Sequence, residues 1–265
     1  MNLLIIQLLI IVKGVLWVPE IRVVLTPGEL KNFKIENQII IVIDTLRAST
    51  TIVTALANGI EEVLPFKTES ALLDFYNRVI YKDKYILAGE YKGKQIRGFD
   101  FGNSPLSFIK NSFKNKIMLL KTSNGTRVLD NISNNNIVFI GGLVNSQKIV
   151  SLIKGKRKNA NLVCAGSNGT FSLEDFFAAG RYCFLLKKLG WSGDDLTVAA
   201  ARIYEDNSEY EDIVNLFYHS RNGQNLLELG YEKDIKFSSK IDIFDIAPVF
   251  DGKRIMSKRS LLSTV

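Results

Sequence analysis

The run Ile39–Ile43, followed at once by Asp44, is the feature that most constrains this chain. Five consecutive apolar residues do not suit a half-solvated strand, which would alternate apolar and polar side chains. They suit a strand covered on both faces, as in a parallel sheet between helix layers. The next residues read as the exit from such a strand. Asp44-Thr45-Leu46-Arg47 is short and polar, Ser49, Thr50 and Thr51 can cap a helix, and Asn58-Gly59 can end it. Free N–H groups at that helix start would attract an anion, with Arg47 beside them. Asp44 has the wrong sign to hold the anion itself. A divalent cation between the carboxylate and a phosphate would resolve the conflict.

The same rhythm recurs along the chain. Val63 to Phe66 reads as a strand, and Thr68 caps a helix over 69–81 with Ala71, Leu72, Phe75 and Val79 on one face. Tyr85 to Ala88 reads as another strand, with Glu90 at its tip. The stretch 91–102, rich in Gly, Lys and aromatics, reads as an ordered loop over the site, and Asn103 and Ser104-Pro105 follow it. Apolar runs at 117–120, 137–140 and 162–164 each end in a polar tip and then a helical pattern. The last of these helices carries Ser172 and Asp175 at capping-box spacing. Repeated strand, tip and helix predicts a three-layer α/β/α fold with a largely parallel sheet. Asp251-Gly252 between apolar runs predicts a hairpin, and so antiparallel strands at the sheet edge.

Residues 21–265 read as one domain, without a flexible linker. The apolar extension 1–20 does not match the rest. It is too short to span a bilayer and has neither a basic leader nor a cleavage site. An extra strand or helix, a weak anchor, and an upstream start codon are the three readings it leaves, and stable membrane association is not expected.

Composition narrows function mainly by exclusion. A net charge of +7 and 46% hydrophobic residues describe a basic, folded protein. No zinc spacing, RNA-binding aromatic motif or helix-turn-helix pattern accompanies the charge, so no nucleic acid partner is expected. Cys164 and Cys183 read as buried thiols of a reducing, cytoplasmic protein, and the one histidine, His219, stands apart from any nucleophile motif. A P-loop and a G-x-S-x-G elbow are missing. Leu46 stands where haloacid-dehalogenase phosphatases carry their second Asp.

The strand tips carry Asp44, Arg47, Thr50, Thr51, Glu90, Thr122, Ser123, Asn124, Thr126, Arg127, Glu174 and Asp175. Ser-Asn-Gly-Thr occurs there twice, at 123–126 and 167–170. In an open α/β sheet ligands bind at the carboxyl ends of strands, where such loops converge. Oxygen donors suit Mg²⁺, and Arg with helix N-termini suits an oxyanion. Each residue also has a bland reading. Asp44 can cap its own helix, Arg47 and Arg127 can sit in ion pairs, and Glu174 and Asp175 can be first-turn carboxylates favoured by the helix dipole.

In order, Ile41-Val42-Ile43-Asp44-Thr45-Leu46-Arg47-Ala48-Ser49-Thr50-Thr51, Ala88-Gly89-Glu90, Gly98-Phe99-Asp100-Phe101-Gly102-Asn103-Ser104-Pro105, Thr122-Ser123-Asn124-Gly125-Thr126 and Phe171-Ser172-Leu173-Glu174-Asp175 resemble the 2-phosphosulfolactate phosphatase (ComB) family. Ser220-Arg221-Asn222-Gly223 and Ala247-Pro248-Val249 extend the likeness. The resemblance implies a Mg²⁺-dependent phosphatase that converts 2-phospho-3-sulfolactate to 3-sulfolactate and phosphate, a step that leads to coenzyme M in methanogens. Such a small substrate carries phosphate, carboxylate and sulfonate.

On this basis Asp44, Arg47, Glu90 and Asn124 are the expected catalytic residues, with Asp44 and Glu90 holding the metal. Thr50, Thr51, Asn103, Ser104, Thr122, Ser123, Gly125, Thr126, Arg127 and Glu174 are expected to bind substrate. Asp44 as covalent nucleophile and Asp44 as metal ligand both remain open, as do a monomer and a homo-oligomer. Two rival readings are a phosphatase of the same fold acting on another phosphorylated C3 hydroxy acid, and an anion-binding protein without turnover.

Overall fold

The computed structural model describes residues 10–12, 15–109, 113–122, 128–129, 132 and 135–257. The strands are β1 (Ile10–Val12), β2 (Val15–Trp17), β3 (Glu20–Val24), β4 (Ile39–Ile43), β5 (Ile60–Phe66), β6 (Tyr85–Tyr91), β7 (Lys94–Gln95), β8 (Lys116–Lys121), β9 (Ile137–Gly141), β10 (Ala160–Cys164), β11 (Ser192–Gly193), β12 (Pro248–Phe250) and β13 (Ile255–Ser257). The helices are α1 (Ala48–Ala57), α2 (Glu69–Arg78), α3 (Ser146–Ile153), α4 (Leu173–Lys188), α5 (Asp195–Asp206), α6 (Tyr210–His219), α7 (Arg221–Glu228) and α8 (Glu232–Ser238).

The main sheet has the order β11-β3-β10-β4-β9-β12-β13-β5-β8-β6-β7. Strands β11, β3, β10, β4 and β9 form one parallel block, and β5, β8 and β6 form a second. The β12–β13 hairpin joins them, antiparallel to β9 on one side and to β5 on the other. The sequence places this hairpin correctly, at Asp251-Gly252, but its position in the sheet differs from expectation. It fills the centre, and the short β7, antiparallel to β6, supplies the mixed edge. Pairing partners depend on long-range packing, which a local turn signal does not encode.

Strand β4 shows why its sequence is apolar throughout. Ile39, Ile41 and Ile43 enter a core with Phe177 and Tyr182, while Ile40 and Val42 enter another with Ile52 and Leu56. Full burial of each such side chain favours folding by about 1.5–3 kcal/mol. The second core also takes Val63, Ile86, Met118 and Leu120 from the other block, so it lies between the two blocks. Helix α1 occupies this interior, and every residue from Ala48 to Leu56 is buried. Its Ser and Thr hydroxyls are satisfied there by backbone carbonyls, which lets a helix of small and apolar residues be enclosed. The outer face of the second block packs Leu64, Leu87 and Leu119 against Leu72 of α2.

Of the N-terminal extension, 1–9 lie outside the described residues. β1 and β2 pair antiparallel as a separate two-stranded sheet. Among the described residues no helix is long and apolar enough to cross a membrane.

Candidate active site

Asp44 leaves the end of β4 and is fixed by its own loop. Its backbone N–H donates to Ser49 Oγ (2.9 Å), its Oδ1 accepts from Ala48 N–H (3.2 Å), and its carbonyl accepts from Ser49 N–H (2.8 Å). The expected capping by Ser49, Thr50 and Thr51 is therefore corrected. Arg47 is the N-cap residue, no side chain of its own caps the helix, and Asp44 takes the first amide. The Thr50 hydroxyl donates to Thr45 O (3.0 Å) and that of Thr51 to Asn103 O (2.9 Å), so both hydroxyls are turned to backbone carbonyls in a buried setting. The helix ends as read, with Gly59 at φ +105°.

A second brace comes from the start of α4. The Ser172 hydroxyl accepts from Asp175 N–H (3.3 Å), which is half of the expected box. The Asp175 carboxylate turns elsewhere, accepting from Thr45 N–H (2.8 Å) and Gly166 N–H (3.1 Å), and so ties the tips of β4 and β10 together. This places the neighbouring Glu174, 2% exposed, near Asp44.

Asp44, Arg47, Glu90, Gly93, Asn103, Thr122 and Asn222 line one polar cavity. Asp44 follows β4 of the first block, Glu90 lies in β6 and Thr122 follows β8 of the second, so the carboxyl ends of both blocks contribute. Glu90 Oε2 accepts from Gly93 N–H (2.8 Å), and Lys121 Nζ donates to the Glu90 carbonyl (2.8 Å). Ser104 lies beside the cavity, its hydroxyl donating to Asp234 (2.6 Å). The remaining expected residues, Ser123, Asn124, Gly125, Thr126 and Arg127, lie outside the described residues.

The two charged ends of the loop 44–47 are treated differently. Arg47 is 3% exposed and pairs with Asp234, 2% exposed, at 2.7 Å. Its Nη2 donates to Gly93 O (2.7 Å), and its guanidinium lies 4.3 Å from the centre of the Tyr231 ring. Among the described residues the Asp44 carboxylate has only its bond from the Ala48 amide. Burial, then the charges of Glu90 and Glu174, push its carboxyl up to about 7, against the Ala48 hydrogen bond and the Arg47 charge. Burial and the neighbouring Glu174 and Asp44 charges also push Asp175 upward, despite its two amide bonds.

Two residues that the sequence left without a role now join the site. Asn222, whose amide donates to the Leu46 carbonyl, comes from the start of α7 and lies within a block already marked by family likeness. Asp234 comes from α8, which carried no sequence signal, 187 positions from its partner Arg47.

A divalent metal can be weighed against these donors. Among the described residues no group of three or more His, Cys, Asp or Glu is placed to hold one. Mg²⁺ asks for less, since one or two carboxylates suffice when water and substrate oxygens complete its octahedron. Asp44 and Glu90 face one cavity, and buried Asn103 Oδ1 has no hydrogen-bond partner. Such an all-oxygen set, with a carboxyl raised by burial and then by like charges, fits a hard cation.

The sequence model of the 2-phosphosulpholactate phosphatase family matches residues 24–253. A relative from Caldanaerobacter subterraneus subsp. tengcongensis is 37% identical over 226 residues, covering 84% of this chain and 92% of its own. One from Thermotoga petrophila is 38% identical over 217 residues, covering 81% and 89%. One from Clostridium novyi is 34% identical over 242 residues, covering 89% and 99%. All three bear the name probable 2-phosphosulfolactate phosphatase. This chain belongs to the 2-phosphosulfolactate phosphatase family of enzymes.

Proposed function

We propose that this enzyme hydrolyses 2-phospho-3-sulfolactate to 3-sulfolactate and phosphate, with Mg²⁺ as its cofactor. The carrying observation is the cavity that sets the Asp44 and Glu90 carboxylates beside Arg47, in a chain of this family. Arg47 is already neutralised by Asp234. The described lining therefore offers an anionic substrate more negative than positive charge, and a cation bound by Asp44 and Glu90 would correct that balance. When bound, Mg²⁺ would supply Lewis-acid polarisation of a phosphoryl oxygen.

The chain's own residues then have distinct tasks. Arg47 aims guanidinium N–H groups at phosphoryl oxygens, where charge grows in the transition state. The Asn103 and Asn222 amides border the same space and orient the ester. A carboxylate at the tip, Asp44 or Glu90, orients the attacking water or, for Asp44, attacks phosphorus itself. In the first case the bond from phosphorus to the C2 oxygen breaks as the water oxygen adds, and the proton lost by that water passes to the leaving oxygen. In the second the same bond breaks as the Asp44 oxygen adds, and water then cleaves the aspartyl phosphate to free phosphate and the carboxylate, its protons going to the released oxygens. The loop 123–127, with Asn124 and Arg127, is assigned to the remaining substrate oxygens on the family resemblance. The buried, unpaired thiols Cys164 and Cys183 support a reducing, cytoplasmic setting, and the product suits the coenzyme M type of pathway.

The test is phosphate release from 2-phospho-3-sulfolactate with Mg²⁺ or with EDTA, alongside a panel of phosphorylated C3 hydroxy acids. Release that needs Mg²⁺ and prefers the sulfonated ester is expected. Indifference to EDTA removes the metal role, a better ester elsewhere in the panel replaces the substrate, and saturable sulfolactate binding without release replaces catalysis.

A further inference from the structure

Asp234 joins the site through Arg47, yet the reaction described above gives it no task beyond cancelling that charge. Arg47 Nη1 donates to Asp234 Oδ2 at 2.7 Å and Nη2 to Gly93 O at 2.7 Å, while the Tyr231 ring covers the guanidinium at 4.3 Å. The other Asp234 oxygen accepts from the Ser104 hydroxyl at 2.6 Å. Gly93 sits at φ +82°, in the left-handed region that glycine accepts readily, and its N–H is tied to Glu90. One carboxylate from α8 thus fixes the Arg47 loop and the turn at Asn103-Ser104, two segments that line the cavity or border it.

Stability does not explain this arrangement. A fully buried ion pair contributes little net stability compared with apolar residues of the same shape, because desolvation opposes the attraction. Its other effect is directional. Two of the five guanidinium N–H groups are spent on Asp234 and Gly93, and the fork is left with one orientation in which the others can meet a ligand. The charge of Arg47 is cancelled while its geometry is kept.

We infer that Asp234 is a positioning residue. It converts Arg47 from a mobile positive charge into a fixed, nearly neutral fork whose remaining N–H groups meet the phosphoryl oxygens, and Ser104 holds Asp234 in turn. This rests on the phosphatase reading, with one arm that does not need turnover.

Asp234→Asn and Ser104→Ala are compared with the natural chain for kcat, KM and the thermal shift produced by inorganic phosphate. In Asp234→Asn the freed Arg47 charge attracts phosphate but no longer points correctly. The expected result is a kcat lower by on the order of 10²-fold, KM unchanged or lower, and a larger phosphate-induced thermal shift than in the natural chain. Ser104→Ala, which leaves the ion pair in place, moves kcat the same way by about tenfold or less. A purely structural role predicts instead that kcat and phosphate binding weaken together, and that result overturns the inference. So does an Asp234→Asn protein with unchanged kcat and unchanged phosphate shift. If Asp234→Asn does not fold, unchanged kcat in Ser104→Ala overturns it. If the natural chain releases no phosphate, the substrate reading fails, and the phosphate-shift comparison alone decides the role of Asp234.

Discussion

Asp44 lines the cavity and Asp234 lies behind its Arg47; both aspartates are buried, yet their surroundings are opposite. Asp234 has a guanidinium on one oxygen and a hydroxyl on the other. Among the described residues Asp44 has a single amide at 3.2 Å, and burial first, then the Glu90 and Glu174 charges, hinder its ionisation. The folded chain satisfies the first carboxylate and leaves the second in deficit. A buried group left in deficit is a candidate for work that needs a ligand or a proton, whereas a satisfied one is a candidate for holding others in place.

Substitutions can break this contrast. The largest effect is expected from Asp44→Asn, which should lower phosphate release by about 10³-fold or more while the protein keeps its fold by circular dichroism. Near-normal turnover would remove Asp44 from the chemistry. Next comes Asp234→Ala. It strands the Arg47 charge in the interior and should destabilise by about 3–5 kcal/mol, read from denaturant midpoints. A loss below about 1 kcal/mol would mean the pair is more hydrated than its burial indicates.

Asp44→Asn should move stability the other way in metal-free protein. The folded-state pKa of Asp44 is raised from 3.8 to about 7, so its contribution is fully present below about pH 4 and is lost as pH rises through 7. At pH 8 the variant should therefore melt higher than the natural chain by on the order of 3 °C, and the gain should vanish near pH 4. A variant that melts lower at pH 8 would show that Asp44 is not in deficit. Mg²⁺ should raise the melting temperature of the natural chain and leave that of Asp44→Asn nearly unmoved.

The smallest effect sharpens the cause of the deficit. Removing the Glu174 charge relieves one of the like-charge contributions on Asp44, so in Glu174→Gln the acidic limb of the metal-free titration should move down by less than about 1 unit. The limb can be followed by the pH dependence of the melting temperature. A shift upward would reverse the assigned sign.

Much of this molecule was legible before folding. The apolar run of β4, its carboxylate tip, the stop at Gly59, the Thr68 and Ser172 caps and the hairpin at Asp251-Gly252 are local, since each depends on residues within one or two turns of chain. The ordered blocks around Asp44, Glu90 and Asn103 contain three residues that line one cavity. The capping of α1 by Asp44 was one of two readings its residues left open, whereas the hairpin's central place in the sheet was not legible, because it was decided by competition among partners that only folding brings together.

The sequence by itself therefore determined which segments are strands and helices and which tips carry oxygen donors, because periodicity and turn chemistry act over a few residues. Tertiary structure alone decided that Arg47 would meet Asp234 across 187 positions, that Asp175 would reach Thr45 and Gly166, and that α1 would be enclosed between two parallel blocks. A residue's pattern states which face must be buried, and only the packed chain states against what.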